Sequence, residues 1–259
     1  MIKLSVNFES MCLGSSVKVD IALPYPCLND SKLKSLWTLH CAFKDGSFFF
    51  DSLGIAQFVD KYKIAIISPS ITASLIDEDD PVYIDFLKNE LMPWCETAFD
   101  LSSDFNDKSI FGISMGAYAT LRSVLDSTIY FKNVALVSGL YDLSLYDFSK
   151  LKKERAQYQL YKLIVPKTLK TVANIKYQGS LIKFIENMPS DIQSVVEKTN
   201  FEIYYGKQDH LSNLQSETLF KTLSVVTPDT TSLNGSDGVH ETEFWIQVLG
   251  NFVNKVYGK

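Results

Sequence analysis

A tight strand-to-helix turn around Ser114 constrains the fold of this chain more than any other feature. The largely apolar run 109–113 predicts a buried strand, and 116–126 has the spacing of a helix. Gly112 and Gly116, two residues before and after the serine, allow the strand and the helix to approach closely. A strand that passes at once into a helix is typical of a parallel sheet with helical crossovers.

The rest of the chain continues the alternation of strands and helices. Strand patterns cover 4–8, 17–23, 36–41, 63–68, 134–138 and 201–205, and a further strand is predicted at 224–231. Helical spacing covers 51–62, 82–99, 211–223 and 241–257. A polar turn joins the first two strands, which predicts an antiparallel hairpin. We therefore predict an α/β fold with a mostly parallel central sheet and helices on both faces.

The alternation breaks down between residues 139 and 200, a stretch rich in Lys, Tyr and Leu. The chain has no internal repeat and no Pro/Gly-rich linker, and its 259 residues suit one α/β domain. We predict a single domain over 1–259, with 139–200 as a cap-like helical insertion. Ligands of open α/β sheets bind at the carboxyl edge of the strands, so the insertion is predicted to lie over the active site.

Charge and hydropathy argue against two classes of partner. The 25 Lys and Arg against 30 Asp and Glu give a net charge of −5, and the basic residues are scattered. Proteins that bind nucleic acid usually concentrate positive charge on one face, so no nucleic-acid partner is expected. The longest apolar runs, such as 64–67, are far shorter than the ~20 residues that span a bilayer, so no membrane partner is expected either.

The cysteines and histidines indicate a cytoplasmic protein without a metal site. Cys12, Cys27, Cys41 and Cys95 form no C-x-x-C pair, and the N-terminus lacks the apolar segment of a signal peptide. Free thiols in a reducing cytoplasm are therefore expected. The three histidines are too dispersed to predict zinc binding.

The turn at Ser114 also predicts chemistry. A G-x-S-x-G motif between a strand and a helix is typical of a nucleophile elbow, which holds its serine in strained backbone angles and exposes the hydroxyl. The helix N-terminus beside it favours developing negative charge. A serine hydroxyl needs a general base to take its proton, and the base needs an orienting acid. In this type of fold the order along the chain is Ser, then Asp or Glu, then His.

Chain order selects the base among three histidines. His40 precedes Ser114 and is expected to pack or hydrogen-bond at the end of its strand. His210 would need an acid from the irregular segment, such as Asp142 or Asp191. His240 lies in a glycine-rich loop before the final helix, and such a loop can bring an imidazole to the serine. His240 is therefore the predicted base.

The acid is predicted from the ends of strands. Asp209 follows a late strand and precedes His240 in the chain, so Ser114, Asp209 and His240 form the predicted triad. Asp142, after the strand that follows the nucleophile, stays open as the alternative acid. Asp237 is disfavoured because no strand places it behind the imidazole.

Two backbone amides are predicted to form the oxyanion hole. One belongs to Met115, the residue after the nucleophile, and the other to the loop that follows an early strand. Within that loop Ala42 is the predicted donor, and Cys41 is the alternative.

With these residues the chain resembles an α/β-hydrolase of the esterase D-like group, which includes bacterial tributyrin esterases and S-formylglutathione hydrolases. The segment 112–118 is similar to the family's G-x-S-M-G-x-Y elbow, and 206–209 to its G-x-x-D motif. His240 and Trp245 resemble its H-x-x-x-x-W segment, and Leu39-His40 resembles its L-H-G loop. The resemblance extends over nearly the whole chain.

The resemblance implies Ser114 as nucleophile, Asp209 as acid and His240 as base. It also implies the α/β-hydrolase fold, hydrolysis of small acyl esters or thioesters without a cofactor, and assembly into dimers or tetramers. This sequence departs from the family at Cys41, where the family has glycine, so the geometry of the oxyanion loop is open.

The prediction is a serine carboxylesterase that hydrolyses short-chain acyl esters, such as tributyrin or acetyl esters, through an acyl-enzyme on Ser114. An S-formylglutathione hydrolase-like thioesterase is the first alternative, because the basic cluster at 150–155 suits a tripeptide leaving group. A second is a catalytically impaired binding protein of the same fold, suggested by Cys41. A third is an acyltransferase to an alcohol.

Overall fold

A computed structural model describes residues 1–25, 32–71, 82–126, 129–142, 145 and 180–258. The described residues include eight strands: β1 (Ile2–Ser10), β2 (Ser15–Leu23), β3 (Lys34–Leu39), β4 (Ile64–Pro69), β5 (Lys108–Ile113), β6 (Asn133–Val137), β7 (Asn200–Gly206) and β8 (Thr231–Ser236). They form one mixed sheet with the order β1-β2-β4-β3-β5-β6-β7-β8.

The sheet is antiparallel at one edge and parallel elsewhere. β1 and β2 form the predicted hairpin, and β2 also pairs with β4 in antiparallel register. The remaining pairs, from β4 through β3 to β8, are parallel. Every residue of β4 and β5 is buried, which explains why 64–67 and 110–113 are apolar without alternation.

Helices cover both faces of the sheet. They are α1 (Phe48–Asp51), α2 (Gln57–Tyr62), α3 (Val82–Asp85, continuing through the π-helical turn Phe86–Leu91 into Met92–Ala98), α4 (Met115–Leu125), α5 (Leu181–Glu186), α6 (Ser190–Val196), α7 (Asn213–Val226) and α8 (Thr242–Tyr257). Helices α3 to α7 contribute to one core cluster, and α1, α2 and α8 to the other. Successive residues of β6 alternate between the two clusters, as the period of a strand requires. The predicted α/β architecture, a mostly parallel sheet with helices on both faces, is confirmed.

Two predicted elements differ from the structure. The strand predicted at 224–231 is wrong, because 224–226 complete α7 and the strand β8 begins only at Thr231. Val225 is β-branched but 84% exposed, whereas Val226 packs on the core one helical turn after Leu223. The helix predicted at 51–62 is two short helices separated around Gly54, whose φ of 65° belongs to the left-handed region.

Most of the predicted insertion at 139–200 lies outside the described residues, as do Cys27 and the basic cluster at 150–155. Within the described part of this segment, α5 and α6 contribute Leu181, Ile185 and Val196 to the core cluster on the α4 side of the sheet.

Candidate active site

The chain makes a strained turn between β5 and α4. Ser114 has φ 54° and ψ −111°, and its N–H donates to the carbonyl of Val137 on the neighbouring strand at 2.8 Å. A Cβ on Gly112 would lie 2.3 Å from the carbonyl oxygen of Gly116, and a Cβ on Gly116 would lie 2.0 Å from that of Leu39. Both glycines are therefore required for strand, helix and adjacent loop to pack this closely.

The structure brings the three predicted triad residues together from the ends of β5, β7 and β8. His240 Nε2 lies 3.1 Å from Ser114 Oγ, and His240 Nδ1 lies 2.9 Å from Asp209 Oδ2. The Asp209 side chain is 2% exposed and that of His240 20%, so the carboxylate is enclosed and the imidazole faces the surface. This is the geometry of a nucleophile, a base and an orienting acid.

The loop that carries His240 is attached to the end of β7. A Cβ on Gly206 would lie 2.3 Å from the carbonyl oxygen of Gly238, so only glycine permits this approach. Gln208 bonds to Gly238 in both directions. Its side-chain Oε1 accepts the Gly238 N–H at 2.7 Å, and its backbone N–H donates to the Gly238 carbonyl at 3.1 Å. Gln208 was not identified as a site residue from the sequence, since its role depends on the fold of a loop 30 residues away.

The Asp209 carboxylate is held in its ionised form. Burial acts to raise its pKa, but the hydrogen bond and charge of His240, the hydroxyl of Ser212 and the N–H of Leu211 together hold the pKa below its ordinary value. Asp209 Oδ2 accepts the Ser212 Oγ–H at 2.5 Å, and Oδ1 accepts the Leu211 N–H at 3.0 Å. The carboxylate therefore stays charged beside the imidazole at neutral pH.

An aromatic side chain supports the imidazole from α8. The rings of Trp245 and His240 meet edge to face, with centroids 5.2 Å apart and planes at 86°. Trp245 Nε1 donates to Ser138 Oγ at 3.3 Å, and Ser138 has φ 51° at the end of β6. The indole is thus fixed by a buried hydrogen bond, and it restricts the rotation of the imidazole.

The loop after β3 lies against the start of α4, where the oxyanion hole is predicted. Met115 is the first residue of α4, and a helix provides no acceptor for its first N–H groups. Ala42 is half-buried in the loop, and the side chain of Cys41 packs into the core cluster beneath it. Burial raises the pKa of the Cys41 thiol to about 11, so the thiol stays protonated at neutral pH.

His40 fastens the base of this loop. Its Nδ1 lies 2.7 Å from the Cys41 carbonyl oxygen, and its Nε2 accepts the Ile71 N–H at 2.8 Å. Both ring nitrogens are used within the fold, as expected for a histidine that packs at the end of its strand. His210 is exposed, and the carboxylate of Asp142 accepts a hydrogen bond from Ser180 at 2.7 Å, so neither is brought to the triad.

Three further properties hold for the described residues. They contain no cluster of three His, Cys, Asp or Glu side chains that is arranged to hold a metal ion. None of their helices combines the length and apolar character needed to cross a bilayer. Cys12, Cys41 and Cys95, the three cysteines among them, are free thiols.

Comparison with known proteins agrees with this geometry. The family model described as "Putative esterase" matches residues 10–230, which is most of the chain. The chain belongs to this esterase family. The predicted resemblance is therefore confirmed, and the protein is an esterase with an α/β-hydrolase fold.

Individual proteins that are similar to this esterase cover nearly its whole length. An acetyl esterase of Caldicellulosiruptor saccharolyticus is 23% identical over an alignment of 263 positions, which covers 96% of this chain and 95% of the relative. The S-formylglutathione hydrolase of Staphylococcus aureus has a TM-score of 0.79 at 19% identity, covering 99% of this chain and 98% of that one. The fluorophosphonate-binding serine hydrolase F of Staphylococcus aureus has a TM-score of 0.76 at 19% identity, covering 100% and 99%.

Proposed function

We propose that this esterase is a serine carboxylesterase that hydrolyses short-chain acyl esters through an acyl-enzyme on Ser114. The observation that carries the proposal is the 3.1 Å separation of Ser114 Oγ from His240 Nε2, with Asp209 hydrogen-bonded behind the ring. A relative described as an acetyl esterase supports a short acyl group.

The first half-reaction forms the acyl-enzyme. Ser114 Oγ attacks the ester carbonyl carbon while His240 Nε2 takes the hydroxyl proton. The carbonyl oxygen becomes an oxyanion, for which we propose the N–H groups of Met115 and Ala42 as donors. Collapse of the tetrahedral intermediate breaks the bond to the alcohol oxygen, and the proton on His240 passes to that oxygen.

The second half-reaction releases the acid. A water molecule attacks the acyl carbonyl while His240 takes one of its protons, and the same proton returns to Ser114 Oγ as the acid leaves. Asp209 stays ionised throughout, fixes the tautomer of the ring and stabilises the imidazolium that forms in each step.

The test is covalent labelling of the folded chain with a fluorophosphonate, together with hydrolysis of p-nitrophenyl acetate. We expect one adduct, located on Ser114 by mass spectrometry, and a loss of kcat of at least ~10³-fold in Ser114→Ala. Ser123→Ala is the matched control, because the hydroxyl of this buried serine on α4 donates to the Ala119 carbonyl at 2.8 Å, within its own helix. Retained hydrolysis in Ser114→Ala would contradict the proposal.

Thioester hydrolysis is the second candidate, because one of the structural neighbours is an S-formylglutathione hydrolase. Acetyl esters and acetyl thioesters form the same acyl-enzyme, so the ratio of their kcat/KM values measures the preference for the leaving group. A ratio that strongly favours glutathione thioesters would replace the carboxylesterase assignment. A folded chain that takes no label would instead indicate a binding protein whose oxyanion loop is altered at Cys41.

A further inference from the structure

The Asp209 carboxylate receives two side-chain donors on one oxygen. Oδ2 accepts His240 Nδ1–H at 2.9 Å and also the Oγ–H of Ser212 at 2.5 Å. Ser212 is 0% exposed, and Asp209 is 3% exposed, so water does not compete for this contact. A hydrogen bond to a buried carboxylate is stronger than one between neutral groups.

The hydroxyl of Ser212 donates to Asp209 and does not cap the helix that Ser212 precedes. Ser212 is the N-cap residue of α7, a position where a serine side chain usually accepts an N–H from the first turn of the helix. Here the side chain makes no capping hydrogen bond. The local conformation still places Ser212 firmly, because its N–H donates to the Asp209 carbonyl at 3.2 Å and its carbonyl accepts the Ser216 N–H at 2.9 Å.

We propose that Ser212 is a positioning residue of the triad: its hydroxyl fixes the orientation of Asp209 and shares the negative charge on the oxygen that faces His240. This inference rests on the proposed function. With Oδ1 held by the Leu211 N–H at 3.0 Å, the carboxylate is fixed at both oxygens and presents Oδ2 to the imidazole. Among the described residues, the charged group that acts on Asp209 is His240.

Loss of the Ser212 hydroxyl has two expected consequences. The carboxylate gains rotational freedom, which weakens the alignment of His240 with Ser114. The charge on Oδ2 is then shared with His240 alone, so the protonated imidazole is stabilised more strongly and the base keeps its proton to higher pH.

The experiment is the pH profile of kcat/KM for p-nitrophenyl acetate in Ser212→Ala, whose folding is checked by circular dichroism. We expect kcat/KM to fall about tenfold and the acid limb to move to higher pH. Ser212→Thr keeps the hydroxyl and is expected to restore the position of the acid limb. The matched control is Ser216→Ala: Ser216 lies one helical turn further along, is also 0% exposed, and its Oγ has no hydrogen-bond partner among the described residues.

A double-mutant cycle separates positioning from a general loss of stability. Because Ser212 acts through Asp209, the double variant Asp209→Asn/Ser212→Ala is expected to have the same kcat/KM as the single variant Asp209→Asn. A further loss in the double variant, or a Ser212→Ala profile that matches Ser216→Ala, would overturn the role of Ser212. A wild-type chain that neither hydrolyses the ester nor takes the fluorophosphonate would contradict the proposed function itself, and the role of Ser212 with it.

Discussion

At the scale of single residues, His40 shows how the fold fixes a protonation state. The side chain is 1% exposed, and its Nε2 must be unprotonated to accept the Ile71 N–H. Burial lowers the pKa of His40, and this outweighs the opposing influence of the Cys41 carbonyl and the Asp45 carboxylate. The loop that carries the proposed oxyanion donor Ala42 therefore depends on a neutral histidine.

We expect this histidine to make stability depend on pH. The unfolded chain binds a proton on His40 near the ordinary value of 6.5, whereas the folded chain binds it only at lower pH. The contribution of His40 to the free energy of unfolding is therefore present above pH 6.5. It falls as the pH decreases below 6.5, by up to ~1.4 kcal/mol per pH unit. Urea unfolding between about pH 5.5 and 7.5 measures this slope.

Two variants test the assignment of that slope. His40→Asn is expected to flatten it, because asparagine can donate to the Cys41 carbonyl but does not titrate. His210→Asn removes an exposed histidine and is expected to leave the slope unchanged. An unchanged slope in His40→Asn would show that another group controls the pH dependence.

Chain order and local motifs predicted the residues that meet at the site. Ser114 and Asp209 could be selected because each follows a predicted strand, and parallel strands present their carboxyl ends at one edge of the sheet. His240 could be selected because it follows both in the chain and lies in a glycine-rich loop before the final helix. Ser212 and Gln208 could not be selected in this way. Their contacts depend on side-chain orientation in two loops, and serine at a helix N-terminus ordinarily predicts a cap.

At the scale of elements, a buried glutamine connects α7 to the segment that follows β6. Gln215 Oε1 accepts the N–H groups of Tyr141 and Asp142 at 2.9 and 2.8 Å, and its Nε2 donates to the Asp142 carbonyl at 2.6 Å. Ser180 donates to the Asp142 carboxylate, and the Leu181 N–H donates to the Tyr141 carbonyl at 2.9 Å. The start of α5 and the start of α7 are thus both bonded to residues 141–142.

We expect Gln215→Leu to lower the free energy of unfolding by about 3 kcal/mol or more, because the N–H groups of Tyr141 and Asp142 would be buried without their acceptor. Urea unfolding of the purified variant measures this loss. The control is Gln193→Leu on α6, whose amide bonds to Glu197 in an exposed position at 2.8 Å, and a change within about 0.5 kcal/mol is expected there. Equal effects of the two substitutions would contradict the connecting role of Gln215.

The ends of strands and helices can be predicted from the sequence where the pattern of apolar residues matches the burial in the structure. The strands β4 and β5 are buried throughout, so their apolar runs predicted them almost to the residue. Val225 and Val226 are β-branched and favour a strand, but they form the end of α7. In the helix Val226 packs against the core, and this contact cannot be predicted from a single sequence.

At the scale of the whole molecule, the site is a product of the assembled sheet. Ser114 and His240 are separated by 126 positions in the chain, and they meet only because β5, β6, β7 and β8 are paired in register. The helices of both faces hold these strands, so a disturbance far from Ser114 is expected to reach the site only through global unfolding.

We therefore expect ester hydrolysis and secondary structure to be lost together as urea is raised. Ile66→Ala removes a fully buried side chain from β4 and is expected to lower both transition midpoints equally, through a loss of about 2–4 kcal/mol. Ile246→Ala, at a position that is 42% exposed on α8, is expected to leave both midpoints unchanged. Circular dichroism and the initial rate of p-nitrophenyl acetate hydrolysis, measured on the same samples, give the two midpoints. If hydrolysis failed at a lower urea concentration than secondary structure, the loops that carry Asp209 and His240 would open independently of the sheet.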